Sequence, residues 1–268
     1  MRILIGLPVY KRHWILPLWF DRIEKQNYDL SDIGFCFFVS SYEEDKETHH
    51  ILMNWLEKHP NVAHFSLHQE DSIKHYHHIN GKRAWGKDDY QKMSLMRNYL
   101  LDQASVLGPD HYFSLDSDIL LDDPNTLIKL QHYAYNGAAV SPLLYMRHYG
   151  CDYPSIMSWY NGQIGGRGFR EVKNYPIGHV FQADIIMAAV MMSKPVYKIA
   201  RYFQHPQGED LGWSASCAKN GFKLYAASDI YCPHIMHESS TSMNGPKGPG
   251  ILDVYLAGGD DRRFVTVN

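Results

Sequence analysis

Apolar residues in this chain fall into short unbroken runs separated by amphipathic stretches. Residues 3–9 (Ile3-Leu4-Ile5-Gly6-Leu7-Pro8-Val9) and 33–40 are runs of strand length with little polar alternation, the pattern of strands covered on both faces, and 62–67 reads as a third strand. Between the first two, residues 14–25 carry Ile15, Leu18, Trp19 and Ile23 at helical spacing, with Pro17 early enough for a first turn to tolerate it. Residues 48–59 predict a second helix, ending before Pro60. A β-α-β-α-β order of this kind predicts a parallel sheet with right-handed crossovers. Further on, the pattern predicts a long helix over 88–104, a short buried strand over 112–115, a helix over 124–135 and a strand over 138–144. Residues 211–220 read as a helix stopped at Gly221, and 222–226 and 229–232 as two short strands. The fold class is α/β, with a mostly parallel central sheet flanked by helices.

Two segments break the rhythm. Residues 68–89 are irregular and carry His68, His75, His77 and His78. With no cysteine and no clean i,i+4 histidine pair they make a poor metal set and read better as a loop over a ligand pocket. Residues 145–175 are rich in aromatics and glycine, including Tyr145, Tyr149, Tyr153, Trp159, Tyr160 and Tyr175. A long segment of that kind in a compact domain is usually functional; it reads as a binding platform or as a hairpin insertion with ordinary aromatic packing. Residues 180–192 contain an apolar run from Ile185 to Met192. The Ser-, Gly- and Pro-rich stretch 238–268 reads as a closing segment outside the core, which leaves 1–237 as one domain of a 268-residue chain.

The chemistry concentrates where the 112–115 strand ends. Asp116-Ser117-Asp118 puts two carboxylates at i and i+2, on one side of extended backbone. Converging carboxylates repel unless a cation lies between them, and hard ions such as Mg²⁺ or Mn²⁺ suit such oxygens, often shared with a phosphate. An Asx-turn with both acids solvated is the plainer reading. Ligands in open α/β sheets bind beyond the carboxyl ends of strands, so Lys11, Arg12 and His13 after the first strand either meet an anion or form a solvated basic turn. After the second strand, Ser41-Tyr42-Glu43-Glu44-Asp45 either binds a ribose or base edge or places acids at a helix N-terminus. Lys92 and Arg97 on the long helix either pair with Asp116 and Asp118 or a phosphate, or face solvent. Glu209-Asp210 opens the last helix, where the helix dipole would keep Asp210 ionised; it reads as a base or as a helix cap.

A net charge of −3 gives no support to a nucleic-acid scaffold, although Arg147, Arg167, Arg170 and Lys173 form basic spots. Cysteines stand at 36, 151, 217 and 232 without metal spacing, and Cys36 and Cys217 read as buried free thiols. The opening apolar run is too short to be a signal peptide and no run is long enough to cross a membrane, so a cytoplasmic setting without stable membrane insertion is the expectation.

Taken in order, these features resemble a GT-A nucleotide-sugar glycosyltransferase, most similar to the family 2-like group. They are the strand ending Leu7-Pro8-Val9-Tyr10, Lys92 and Arg97-Asn98, Leu115-Asp116-Ser117-Asp118, Gly208-Glu209-Asp210-Leu211-Gly212-Trp213, Asn220-Gly221-Phe222-Lys223-Leu224, and the strand leading to His234. The resemblance implies a nucleotide-diphosphate sugar donor, here a UDP-sugar, with Mn²⁺ or Mg²⁺ held by Asp118, Asp116 and His234. It implies donor contacts from Pro8, Tyr10, Arg12, Ser40, Glu43, Lys92, Arg97, Asp116 and Ser117. Asp210, with Glu209 beside it, takes the place of the catalytic base of inverting members, and Trp159, Tyr160 and Trp213 that of the acceptor site. The acceptor is open: glycan, lipid, protein or a modified nucleobase in DNA. Two departures stand out: Lys11 occupies the place of an Asn or Asp after the first strand, and the acid expected at the end of the second strand is Ser40 or Ser41. Metal-dependent nucleotidyl transfer is the rival chemistry, but Leu7-Pro8-Val9-Tyr10-Lys11-Arg12 lacks its glycine-rich phosphate loop. A non-catalytic carbohydrate-binding protein is the other alternative.

Overall fold

The computed structural model describes residues 1–235 apart from 40–41, 71–77, 80–81, 84–86, 149–150, 167–168 and 173. Ser40, Ser41, His75, His77, Tyr149, Arg167, Lys173 and the 238–268 segment therefore lie outside the described residues, as do the side chains of His78 and Arg147.

Eight strands build the main sheet: β1 (Ile3–Val9), β2 (Ile33–Val39), β3 (His64–Gln69), β4 (His111–Leu115), β5 (Ala138–Leu143), β6 (Val180–Ala183), β7 (Ala189–Ser193) and β8 (Lys223–Tyr231). Their order is β6-β8-β5-β7-β4-β1-β2-β3. β1 pairs in parallel with β2 and β4, β2 with β3, and β5 with β8. β7 runs antiparallel between β4 and β5, and β6 antiparallel to β8. The parallel half is the β-α-β-α-β unit that the apolar runs predict.

Alternation along β1 divides the core. Ile3, Ile5 and Leu7 face one layer, which contains Trp19, Phe20 and Ile23 of α1 (Leu16–Glu24), Leu52 and Trp55 of α2 (Lys46–Lys58) and Leu127 of α4 (Thr126–Tyr133). Leu4 faces the other, with Leu100, Leu101 and Ala104 of α3 (Lys87–Leu107), Val196 and Tyr197 of α5 (Lys194–Ile199) and Trp213 and Cys217 of α6 (Glu209–Lys219). Gly6 is required where it stands: a Cβ there would lie 2.2 Å from the hydroxyl oxygen of Tyr112.

Three elements differ from the pattern. The apolar run 185–192 is two strands, Ile185–Ile186 and β7, because Ala188 takes a left-handed φ of 67° and turns the chain. The two short strands expected near 222–232 are one strand, β8, with an irregularity between Ala227 and Tyr231 that absorbs polar Ser228 and Asp229. The 145–175 segment holds the hairpin of its alternative reading, Tyr145–His148 against Cys151–Pro154, followed by a small sheet of Ile156–Trp159 between Phe169–Glu171 and Ile185–Ile186.

Candidate active site

The site forms where β4 ends beside β1. Asp116 leaves the strand with its N–H donating to the Ala188 carbonyl at 2.9 Å. The next residues are crossed by the last described segment of the chain. Ile119 bridges to His234, Leu120 N–H donates to the Pro233 carbonyl at 3.0 Å, and Ile235 N–H donates to the Asp118 carbonyl at 2.7 Å. That crossing sets the His234 Nε2 3.4 Å from Asp118 Oδ1, both side chains being buried. His234 Nδ1 is buried with no hydrogen-bond partner among the described residues. Asp118 Oδ1 and the facing His234 Nε2 thus offer one oxygen and one imidazole nitrogen to a single point, and that mixed donor set suits a divalent ion such as Mn²⁺. No group of three or more ligating side chains occurs among the described residues, so an ion held there would complete its shell with other oxygens, as an ion shared with a diphosphate does.

Arg12 reaches the same carboxylate from the turn after β1. Lys11 adopts a left-handed φ of 50°, and its N–H donates to the buried Asp45 carboxylate at the start of α2. Arg12 N–H donates to buried Thr48 Oγ1 at 3.1 Å. Asp45, which precedes α2, and Thr48 within it therefore fix the turn, and the Arg12 guanidinium lies near the Trp14 ring and donates to Asp118 Oδ2 at 2.7 Å. Asp45 belongs to the acidic stretch read either as a ribose contact or as acids at a helix N-terminus, and it stands at that N-terminus holding the Lys11 N–H instead; Thr48 had no sequence signal, because a threonine at a helix start looks like an ordinary first-turn residue.

Arg97 organises the other half. It is buried, and its nitrogens donate to Asp116 Oδ1 at 2.7 Å, Glu209 Oε1 at 3.2 Å and Ser114 Oγ at 3.1 Å. Its guanidinium also lies 5.6 Å from the Tyr202 ring centre. Asn98 fixes Tyr202 by exchanging two hydrogen bonds with its backbone, at 2.7 and 2.9 Å. Burial works against the Arg97 charge, but Asp116, Asp210 and Glu209 around it outweigh burial and hold its pKa well above the usual value. Arg97 is therefore held between Asp116 and Glu209, the ion-pair side of its expected readings, and its buried guanidinium is already bonded to protein rather than open to a donor phosphate.

Glu209 and Asp210 open α6 behind Gly208, whose φ of 138° only glycine adopts without strain. Burial raises the Glu209 carboxyl, opposed by Arg97. Asp210 is half-buried. Burial, with Glu209 and Asp116 as like charges and Arg97 opposing, pushes it up to about 8. The helix dipole was expected to keep it anionic at lower pH; desolvation and two neighbouring carboxyls win instead. The Ala188 N–H favours the Asp210 anion, against burial, so this left-handed residue meets Asp116 through its carbonyl and has Asp210 near its N–H. Ala188 carries no sequence signal, since its conformation is imposed by tertiary contacts.

The remaining expected residues divide. Pro8 and Tyr10 sit at the end of β1, and Ser117 is buried between the two aspartates. Lys92 is half-buried on α3. Glu43 is exposed and paired with Lys46 at 2.8 Å. Two acceptor assignments are corrected. Trp213 is completely buried and stacked on Tyr202, and Trp159 is 3% exposed in the core; neither ring can receive a ligand. Tyr160, 58% exposed, can. His68 stacks on Tyr99 with ring centres 4.0 Å apart, a packing role. Cys36, Cys217 and Cys232 are buried free thiols.

A largely parallel sheet interrupted by the reversed β7, with acids at the end of its central strand, defines a GT-A domain. Solved structures similar to it include GalNAc-T7 with UDP, GalNAc and Mn²⁺, at a TM-score of 0.59 and 12% identity over 99% of this chain and 48% of that one. Another is the mannosyltransferase PcManGT from Pyrobaculum calidifontis in complex with GDP-Man and Mn²⁺, at 0.55 and 13% over 87% and 57%. TarS 1–349 of S. aureus in complex with UDP-GlcNAc matches at 0.52 and 13% over 94% and 61%. At these identities the likeness is one of fold. The chain belongs to glycosyltransferase family 25: the model of that family's N-terminal domain matches residues 1–193. A glycosyltransferase 25 family member from Aedes aegypti is 24% identical over 199 residues, 72% of this chain and 31% of that protein. The chain thus spans about a third of the length of that relative.

Proposed function

We propose that this chain transfers a sugar from a nucleoside-diphosphate donor, a UDP-sugar in the first instance, to a hydroxyl acceptor with inversion at the anomeric carbon. The convergence of Asp118 with His234 and of Asp116 with Asp210 at one strand end carries the reading, and family membership favours glycosyl over nucleotidyl transfer. The similar GalNAc-T7 and PcManGT structures hold nucleotides with Mn²⁺; here Asp118 and His234 would hold Mn²⁺ or Mg²⁺, with Asp116 toward the donor ribose or the ion. Such an ion, when bound, neutralises charge that develops on the departing diphosphate.

The chain's own groups do the rest. On this reading Pro8, Tyr10 and Ser117 would border the donor, the Arg12 guanidinium beside Asp118 would meet the diphosphate oxygens, and Lys92 and Glu43 would add outer donor contacts. Asp210 accepts the acceptor hydroxyl proton while that oxygen bonds to the anomeric carbon. The bond from that carbon to the diphosphate oxygen breaks, and its electron pair leaves with the diphosphate. Exposed Tyr160 offers an aromatic face to a sugar or other acceptor. No helix of the described residues is long and apolar enough to cross a membrane, and three buried free thiols suit a reducing, cytoplasmic setting.

The test is a donor panel of UDP- and GDP-sugars with Mn²⁺ and mixed acceptors, followed by mass spectrometry of the product. Asp118→Ala abolishes metal-dependent donor binding and Asp210→Asn abolishes transfer while donor binding persists. Undiminished turnover in Asp210→Asn removes the base assignment.

A further inference from the structure

Asp118 already has a cation. Arg12 donates to its Oδ2 at 2.7 Å, while Oδ1 faces His234. The arginine is not a wandering surface side chain: Asp45 and Thr48 hold its turn, Trp14 lies against its guanidinium, and its side chain is only 18% exposed. A divalent ion entering alone must share the carboxylate with a fixed positive charge at close range. It also finds, among the described residues, no third ligating side chain beside Asp118 and His234. Both deficits vanish when a diphosphate enters with it. The diphosphate supplies several anionic oxygens to complete the shell, and its charge gives the guanidinium a second, bidentate partner.

We propose that Arg12 makes metal binding conditional on the nucleoside diphosphate: it occupies Asp118 in the donor-free protein and moves its hydrogen bonds toward the diphosphate when ion and nucleotide arrive together. The inference rests on the proposed ion site at Asp118 and His234. Coupling between two ligands is reciprocal, so the factor by which UDP tightens Mn²⁺ equals the factor by which Mn²⁺ tightens UDP. Arg12 is then the residue that keeps the site from loading with free cation and makes the metal–nucleotide complex the species that binds.

The experiment titrates the full chain with Mn²⁺, reading free ion by electron paramagnetic resonance, without nucleotide and with saturating UDP or GDP, against protein-free blanks. Wild type binds Mn²⁺ alone at least tenfold more weakly than with nucleotide. Arg12→Gln binds Mn²⁺ alone at least tenfold more tightly than wild type, and the nucleotide effect shrinks. Arg12→Lys, which keeps the charge at Asp118 but not the planar fork, still binds Mn²⁺ alone weakly, as wild type does, while the nucleotide effect shrinks. Circular dichroism melting shows that each variant is folded. If Arg12→Gln holds Mn²⁺ alone no more tightly than wild type while nucleotide still brings the ion on, the gating role is wrong and the ion site stands. If no protein binds Mn²⁺ with either nucleotide, the ion site fails and the gating role fails with it.

Discussion

Replacing Arg97 with methionine tests the central network, because it removes the charge and keeps much of the side chain's bulk. Two ion pairs are lost, to Asp116 at 2.7 Å and Glu209 at 3.2 Å. Glu209 is buried, so its carboxyl is left desolvated and unpaired. Removing one partner of a buried ion pair costs about 3–5 kcal/mol, and for a chain of this size each kcal/mol shifts the melting temperature by about 2–4 °C. The expected fall is roughly 6–20 °C. It depends on pH with a definite sign. Burial already raises Glu209 with Arg97 present, and without Arg97 it rises further. A carboxyl whose folded-state pKa lies above its unfolded value binds protons more tightly when folded, so stability is lost as pH rises. The gap between variant and wild type should therefore be widest near pH 8 and narrow as the pH falls toward 5. Differential scanning fluorimetry across that range, supported by urea melts, measures it. A variant within 2 °C of wild type, or a gap that does not change with pH, refutes the claim that Arg97 neutralises buried acids.

Three further predictions rest on the same site. With Asp210 pushed up to about 8 in the donor-free protein, kcat/KM should climb with pH and level off above that value; a flat profile from pH 6 to 9 contradicts the base role. Ala188→Gly should melt at or above the wild-type temperature, because glycine accepts the φ of 67° that costs alanine on the order of 1 kcal/mol. Ala188→Val should lower both stability and transfer, and equal melting of the two variants would remove the strain argument. Trp213→Ala should cost about 3–5 kcal/mol in urea unfolding, as for a core aromatic, whereas Tyr160→Ala should leave stability within about 0.5 kcal/mol and raise only the acceptor KM; the reverse pattern would restore Trp213 as a ligand-binding ring.

Much of this architecture was legible because it rests on local patterning. Strands covered on both faces show as unbroken apolar runs, and α1 and α2 declare themselves by helical spacing. The pair Asp116 and Asp118 was legible for the same reason: two acids ending an apolar run are conspicuous. What stayed open or escaped depends on residues distant in sequence. Arg97 had two readings, an ion pair with the aspartates or a phosphate and a solvent-facing cation, and only the approach of Ser114, Asp116 and Glu209 decides between them. Arg12 could be read equally as a solvated turn residue, because the acid it meets lies 106 positions further on, past the end of β4. Ala188 sits inside an apolar run that predicts continuous strand, yet it is where the chain turns to touch two acids. The ionisation of Asp210 was misjudged because the helix start is visible in sequence and the burial is not. Trp213 was misplaced for a related reason: a tryptophan near an acid pair signals neither exposure nor packing.

The crossing of residues 233–235 over 118–120 has a consequence for biogenesis. His234 joins Asp118 only after β8 has been laid against β5 and the chain has returned across the sheet. Closing so long a loop comes late, since its entropy must be met before its contacts reward it. A nascent or truncated chain ending before Pro233 would carry both aspartates and both arginines yet lack the histidine, so the pairing of His234 with Asp118, and with it the proposed ion site, is complete only when synthesis has passed that point.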